Sequence, residues 1–245
     1  MIGRGQIILQ LFFWLVCIFI NDYFLIFECF SSQIIQFLIL FICVYHQICA
    51  MRSFYMGSHI SSQVTYTKNK KIEKNVDDYF TPTECKKCGI IRSYRSHHCS
   101  ICEACIEKMD HHCYFLNRCV GRKNYKYFFS YLFLAFLNSI IMNTIGIYRL
   151  YLYKYEINQQ KLKFFFILYF QVKIIIILLI SLPTTLATGY LIIYHLFLMY
   201  KNQTTIERKY PSLYIKDNRK NNRSFKEKFS RMLETNNWLN IYWLD

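Results

Sequence analysis

Apolar residues are concentrated in two blocks of the chain. They fill most of positions 6 to 50 and 128 to 200, whereas positions 51 to 127 and 201 to 245 are polar and basic. A helix that crosses a bilayer needs about 20 apolar residues, so each block is long enough for two crossings. The pattern predicts an integral membrane protein with two water-facing parts.

The first block predicts two helices with a polar turn between them. Residues of that turn are Asn21, Asp22, Glu28, Ser31 and Ser32. We expect the first span at about Ile7–Phe27 and the second at about Gln33–Ala50. A cleavable signal peptide is the rival interpretation, but Arg4 alone is a weak basic region and no clear small-residue cleavage site follows it. An uncleaved span is therefore the preferred prediction.

The second block predicts a third span at about Tyr127–Leu150 and a fourth at about Ile174–Met199. Its final apolar stretch begins at Phe164 and is longer than one crossing needs. Because Lys173 interrupts that stretch, we expect Phe164–Val172 to lie against the far face of the membrane.

The distribution of charge predicts the orientation. Basic residues outnumber acidic ones by 30 to 15, and most lie in the two polar parts, while Gly5–Met51 contains none. Loops rich in Lys and Arg stay in the cytosol, which places the loop from Met51 to Lys126 and both termini there. Nucleic-acid binding rests on net charge alone, and membrane topology explains that charge better.

These patterns predict an all-α membrane protein of four transmembrane helices, and the cysteine cluster described next adds the expectation of a small zinc-stabilised cysteine-rich domain between helices 2 and 3. The predicted parts are helices 1 and 2 in residues 1–50, a cytosolic linker in 51–84, the cysteine-rich zinc domain in 85–126, helices 3 and 4 in 127–200, and a cytosolic tail in 201–245. No internal repeat is evident.

Seven of the 11 cysteines lie between Cys85 and Cys119, in the predicted cytosolic loop. Thiols in the cytosol stay reduced, so metal binding is a better interpretation than disulfides. The loop contains Cys85, Cys88, His97, His98, Cys99, Cys102, Cys105, His111, His112, Cys113 and Cys119. Two CxxC pairs with downstream His and Cys indicate zinc, and two tetrahedral sites need eight ligands. One thiol is then left over.

The run from Asp110 to Cys113 combines a carboxylate, two imidazoles and a thiol. These are the parts of an activated cysteine nucleophile, because a thiol near pKa 8.5 needs a neighbouring cation or base to ionise. The alternative is that all of these groups bind zinc. Spacing alone leaves both interpretations open.

Four segments make the loop recognisable: CKKC at 85–88, RSHHCSICEAC at 95–105, KMDHHC at 108–113 and NRCVGRKN at 117–124. Together they resemble the DHHC cysteine-rich domain of protein S-acyltransferases, in order and in spacing. A second signature of that family, Thr-Thr-x-Glu after the last span, matches Thr204–Glu207. Departures include Tyr114 and Phe115, where many members have Pro and Trp.

The resemblance implies the roles of individual residues. One zinc site would use Cys85, Cys88, His98 and Cys105, and the other Cys99, Cys102, His112 and Cys119. Cys113 would then accept the acyl group, His111 would be the general base or acid, and Asp110 would orient that imidazole. We also expect Thr205 to hydrogen-bond Asp110.

The function implied is transfer of a long-chain fatty acyl group from acyl-CoA, such as palmitoyl-CoA, to protein cysteines through a Cys113 thioester. Expected partners are two structural zinc ions, the lipid bilayer, and cytosolic or membrane proteins with membrane-proximal cysteines. The expected location is an endomembrane of the endoplasmic reticulum or Golgi. The alternatives are a catalytically inactive membrane-anchored zinc scaffold and a RING-like ligase, whose long spacing between metal pairs is absent from this sequence.

Overall fold

The computed structural model describes residues 26, 32–64, 83–92, 95–158, 164–211 and 224–233 of the chain. Five helices are present in these parts: α1 (Gln33–His59), α2 (Tyr125–Asn158), α3 (Phe164–Lys201), α4 (Thr205–Lys209) and α5 (Phe225–Leu233). The described part of the chain is therefore rich in helix, as the apolar blocks predict.

Three helical segments are long and apolar enough to cross a membrane. They are Gln33–His59, Tyr125–Glu156 and Gln171–Lys201. The predicted first span, Ile7–Phe27, and its polar turn lie outside the described residues, apart from the buried Ile26 and from Ser32. The count of four spans therefore stays a prediction.

All three long helices extend beyond the apolar spans predicted for them. Helix α1 continues past Ala50 to His59, and α2 continues past Leu150 to Asn158. Intrahelical hydrogen bonds do not stop where the side chains become polar, so apolar runs underestimate helix length. Helix α3 also runs unbroken through Phe164–Val172, where we expected a separate surface segment.

Six short strands lie between α1 and α2 and form three antiparallel hairpins. The strands are β1 (Thr83–Cys85), β2 (Ile90–Arg92), β3 (His97–Cys99), β4 (Ala104–Ile106), β5 (His111–Cys113) and β6 (Arg118–Val120), and the sheets pair β1 with β2, β3 with β4, and β5 with β6. The all-α prediction omitted these hairpins. Strands of three residues are too short to show the period-2 alternation that identifies a strand in a sequence.

The three hairpins are copies of one unit of 14 residues. Their first strands begin at residues 83, 97 and 111, and their second strands at 90, 104 and 118. Each turn contains one residue with a left-handed backbone at the same place: Gly89 (φ 63°), Glu103 (φ 50°) and Asn117 (φ 52°). The sequence analysis missed this repeat because the three copies have few identical residues at equivalent positions.

The chain divides into two compact units, one of Met1–Arg52 and Tyr131–Ile193, the other of Ser53–Ser130 and Tyr194–Asp245. The first has an apolar core that includes Cys43, Ile145, Tyr153, Ile174 and Ile177. In the second, which contains the hairpins, a small core is formed by Cys99, Ala104, Ile106, Met109 and Cys119. Two of these five buried residues are cysteines and the core is small, so apolar burial contributes little to the stability of the hairpins.

Asn124, just before α2, joins several segments of the second unit. It is fully buried, donates to the carbonyl oxygens of Gly57 (3.1 Å) and Cys119 (3.0 Å), and accepts from Ser62 (3.0 Å) and the Gly121 N–H (2.9 Å). All four hydrogen-bonding positions of the amide are thus used. The end of α1, the last hairpin and the start of α2 are fixed together by one side chain.

Candidate metal centres and thiol site

The first group of metal-ligating side chains combines the turn of one hairpin with the strands of the next. Cys85 and Cys88 lie at the turn between β1 and β2. His98 and Cys105 are direct cross-strand partners in the β3–β4 pair, so their side chains share one face of that hairpin. The His98 Nδ1 lies 3.7 Å from the Cys85 sulfur and 3.2 Å from the Cys88 sulfur.

The second group repeats this arrangement one hairpin later. Cys99 and Cys102 lie at the turn between β3 and β4, and the cross-strand partners are His112 and Cys119 of the β5–β6 pair. The His112 Nδ1 lies 3.6 Å from the Cys99 sulfur, 3.4 Å from the Cys102 sulfur and 3.5 Å from the Cys119 sulfur. Each group therefore links two hairpins.

Both groups fit a tetrahedral metal ion. In each group the four ligand atoms lie within 4.8 Å of one another. Thiolate and imidazole ligands around one tetrahedral metal ion lie about 3.6–3.8 Å apart, close to the measured separations. Burial and the neighbouring thiols raise the pKa of Cys105 to about 12, and they also raise the pKa of Cys119. A bound cation would offset this repulsion.

Alternation along β5 separates the thiol site from the metal-ligating group. Successive residues of a strand point to opposite faces, so His112 faces Cys119 while His111 and Cys113 point the other way. Of the cysteines and histidines from residue 85 to residue 119, all of which the structure describes, His97, His111 and Cys113 belong to neither metal-ligating group. The structure therefore brings together the same two sets of four that the resemblance implies and leaves Cys113 beside His111.

Asp110 is fully buried, yet each of its carboxylate oxygens accepts hydrogen bonds. The His111 Nδ1 donates to Oδ2 over 2.7 Å, the Thr205 hydroxyl donates to Oδ2 over 2.8 Å, and the Thr205 N–H donates to Oδ1 over 2.9 Å. Burial raises the pKa of Asp110, but the hydrogen bond from His111 and the charges of the nearby imidazoles outweigh burial and lower it. Asp110 is thus held as a carboxylate, and the expected contact with Thr205 is present.

His111 hydrogen-bonds both Asp110 and Cys113, so the three side chains form a continuous chain. Burial lowers the pKa of His111, but the hydrogen bonds to these two groups raise it to about 9. Burial raises the pKa of the Cys113 thiol, but His111 and the backbone N–H groups of Leu116 and Phe115 outweigh burial and lower it. Backbone N–H groups at the equivalent places lower the pKa of the ligand thiols Cys85 and Cys99, against the effect of burial.

Thr204–Glu207 begins helix α4 as a capping box. The Thr204 side chain accepts from the Glu207 N–H (3.3 Å), and the Glu207 carboxylate accepts from the Thr204 N–H (2.8 Å). The buried Glu207 carboxylate also accepts two hydrogen bonds from Arg95, of 2.6 and 2.8 Å. Sequence analysis missed Arg95, although an unpaired acid in a tail motif is a signal that a cation lies nearby.

A second missed feature is a buried pair beside His111. The Tyr125 hydroxyl lies 2.9 Å from the His195 Nδ1, and both residues are almost fully buried. In the sequence, His195 interrupts the apolar stretch 191–199 of the last predicted span, and an ionisable residue at such a place is the signal that could have found it.

The described residues combine hairpins joined by thiol and imidazole clusters with apolar helices of membrane-spanning length. A further thiol, that of Cys113, is hydrogen-bonded to an imidazole, and a buried carboxylate accepts a hydrogen bond from that imidazole. These features define a membrane-associated cysteine-rich protein with an activated thiol. The sequence profile described as "DHHC palmitoyltransferase" matches residues 78–211, more than half of the chain. The chain belongs to the DHHC palmitoyltransferase family.

Curated relatives agree with this family. Palmitoyltransferase ZDHHC20 of Homo sapiens is 38% identical over 124 residues, covering 50% of this chain and 32% of the relative. Palmitoyltransferase ERF2 of Debaryomyces hansenii is 38% identical over 126 residues, covering 50% of this chain and 33% of the relative. Palmitoyltransferase ZDHHC15A of Danio rerio is 32% identical over 124 residues, covering 50% and 35%. The matched region spans about a third of the length of these relatives.

Proposed function

We propose that this protein is a protein S-acyltransferase that moves a long-chain fatty acyl group from acyl-CoA to cysteines of other proteins through a thioester on Cys113. The observation that carries the proposal is the hydrogen-bonded chain from Asp110 through His111 to Cys113. A thiol bonded to an imidazole that a carboxylate orients is the arrangement of a cysteine nucleophile. Membership of the DHHC palmitoyltransferase family supplies the acyl group and the acceptor class.

In the first half-reaction the Cys113 thiolate attacks the carbonyl carbon of the acyl-CoA thioester. The bond between that carbon and the CoA sulfur breaks, and the leaving thiolate takes a proton from His111. Asp110 keeps the His111 ring in the tautomer and orientation that this transfer needs, because its Oδ2 holds the Nδ1 proton.

The second half-reaction reverses these roles. A cysteine of the protein substrate gives its proton to His111 and attacks the acyl carbon on Cys113, and the Cys113 thiolate leaves. One thioester is exchanged for another in each step, so positioning and proton transfer account for most of the acceleration required.

We assign zinc to the two metal-ligating groups, with Cys85, Cys88, His98 and Cys105 in one and Cys99, Cys102, His112 and Cys119 in the other. Three thiolates and one imidazole in a closed tetrahedron favour zinc. Such closed sites supply folding energy and no open coordination position, so zinc would hold the hairpins in place.

The proposed layout has four membrane spans, with the hairpins and both termini in the cytosol of an endomembrane. Three apolar helices and the basic loops support it. Cys113 precedes helix α2 by a short segment, which favours substrates whose cysteines lie near the membrane. Burial of each methylene of an acyl chain contributes about 0.8 kcal/mol, so a chain that stays in hydrocarbon would bind favourably.

The test is acyl loading of the purified protein in detergent. Palmitoyl-CoA with an alkyne tag is added to the wild type, Cys113→Ser and His111→Ala, and hydroxylamine-sensitive label is quantified per zinc-loaded chain. We expect label on the wild type, none on Cys113→Ser, and a loading rate reduced by about 100-fold or more in His111→Ala.

His97→Ala is the matched control, because His97 occupies the place of His111 in the preceding hairpin. We expect it to load like the wild type. Equal label on Cys113→Ser, or no label on a zinc-loaded and folded wild type, would contradict the proposal and favour an inactive zinc scaffold.

A further inference from the structure

A histidine that no step above uses lies beside His111. His195 is near the end of α3, and its side chain is only 2% exposed. Its Nδ1 is 2.9 Å from the hydroxyl of Tyr125, the first residue of α2, which is 3% exposed. Burial of an imidazole and a phenol is costly unless their polar atoms are bonded, so this pair has a well-defined geometry.

The His111 ring lies beside His195 and one phenylalanine. The ring centroids of His111 and His195 are 6.2 Å apart, and Phe128 lies edge-on to both, at 5.1 Å from His111 and 5.0 Å from His195. Tyr125 also contacts the His195 ring, at 5.7 Å. The buried carboxylate of Asp110 interacts electrostatically with both imidazoles.

We propose that His195 and Tyr125 are positioning residues for the transfer of protons by His111, an inference that rests on the proposed function. The Asp110 carboxylate fixes one nitrogen of the His111 ring, but that hydrogen bond alone does not prevent the ring from tilting about it. Phe128, held in turn against the Tyr125–His195 pair, blocks that tilt. The second nitrogen of His111 therefore stays directed at Cys113.

Metal binding does not account for His195. In the part of the chain that the structure describes, the two metal-ligating groups do not include it, and its Nδ1 is bonded to Tyr125. The filling of apolar space does not account for it either, because a leucine at this buried position of α3 would occupy similar space without the cost of burying an imidazole.

Three variants separate these roles. His195→Leu removes the ring and the hydrogen bond, Tyr125→Phe removes one oxygen and keeps the ring, and His195→Asn places an amide where the Nδ1 lies and keeps the bond to Tyr125. The measurement is single-turnover loading of alkyne-tagged palmitoyl-CoA on full-length, zinc-loaded protein, over a range of palmitoyl-CoA concentrations.

We expect His195→Leu to lower the maximal loading rate roughly 10- to 100-fold, because small misplacements of a catalytic group have effects of this size. The palmitoyl-CoA concentration at half-maximal rate should not change, Tyr125→Phe should act in the same direction, and His195→Asn should recover part of the rate. His59→Leu is the control, since His59 is an exposed histidine stacked on Tyr55 at 4.0 Å, and it should load normally.

If the wild type loads and all three variants load at its rate, the positioning role is wrong and the proposed function stands. A variant whose rate per zinc-loaded chain is normal but whose yield is low shows a purely structural role, which also overturns the inference. If His195→Leu fails to fold, Tyr125→Phe decides, since it removes one atom. If zinc-loaded wild type takes no label, the proposed function itself fails.

Discussion

Asp110 shows how much a single residue depends on its surroundings. Its carboxylate is buried, and a buried charge is very costly unless hydrogen bonds replace the lost water. Three donors supply those bonds, and two of them come from Thr205, which lies 95 positions away in the chain. The Thr204–Glu207 motif is thus part of the thiol site, although it follows the last apolar span.

The Thr205 hydroxyl can be tested without disturbing the backbone. Thr205→Val keeps the shape and the N–H but removes the donor to the Asp110 Oδ2. A hydrogen bond to a charged group contributes about 1.5–3 kcal/mol, so we expect acyl loading of Cys113 to slow by about 10- to 100-fold. Thr205→Ser retains the donor and should load near the wild-type rate. Equal rates for the Val and Ser variants would show that the hydroxyl has no part in the reaction.

The sequence predicted the residues of the thiol site, but it did not predict the residues that pack around the site and hydrogen-bond its neighbours. The sequence analysis named four residues of the site: Cys113, His111, Asp110 and Thr205. They could be named because they belong to two short motifs whose residues are adjacent in the chain. Arg95, Tyr125 and His195 were not named, since their partners are distant in the chain and each is an ordinary residue for its segment. Only the folded chain brings such pairs together.

The conformation of the hairpins depends on their turns more than on their strands. Each strand has three residues, and an isolated hairpin of this size is marginal in water. What is repeated is the turn, with its left-handed residue and its N–H groups directed at a sulfur. Sequence patterns could not predict the strands, because the repeat resides in backbone conformation.

Gly121, just after β6, tests how tightly the elements fit. A Cβ atom there would lie 2.7 Å from the Glu107 carbonyl oxygen and 2.8 Å from the Ile106 Cγ2. The first contact is with backbone, so the chain must shift, and we expect Gly121→Ala to lower the free energy of unfolding by about 1–3 kcal/mol. Thermal unfolding of the zinc-loaded protein measures this.

Gly89→Asn is the matched control for Gly121→Ala. Gly89 has φ 63° with open space around its Cβ position, and its counterpart in the third hairpin is already Asn117. Asparagine tolerates this conformation, so little change is expected. A Gly121→Ala variant as stable as Gly89→Asn would show that the backbone there yields easily.

For the whole molecule, we expect the long helices and the hairpins to respond differently to loss of metal. The long helices are apolar and satisfy their own backbone hydrogen bonds. The hairpins have a small core and are joined through thiol and imidazole clusters. Removal of metal should therefore affect the hairpins and leave the helices.

A strong chelator tests this difference. We expect it to release two zinc ions per chain and abolish acyl loading of Cys113, while the helical circular dichroism of the detergent-solubilised protein changes little. Readdition of zinc under reducing conditions should restore loading. Full loading by protein shown to be free of metal would mean that the hairpins hold the thiol site without it.

The 14-residue repeat also accounts for the position of the thiol that the proposed function uses. In each metal-ligating group, two cysteines come from the turn of one hairpin and a His–Cys pair comes from the hairpin that follows. The turn of the third hairpin would therefore need a fourth hairpin to complete a third group. After the third hairpin the chain enters α2, and no His–Cys pair follows; Leu116 stands where Cys88 and Cys102 stand in the earlier copies. Cys113 therefore stands where the ligands Cys85 and Cys99 stand in the earlier copies, but it belongs to neither metal-ligating group of the described residues. Under the proposed function, the same turn geometry that lowers the pKa of a ligand thiol in the first two hairpins would present the Cys113 thiolate to the acyl carbon of a thioester in the third.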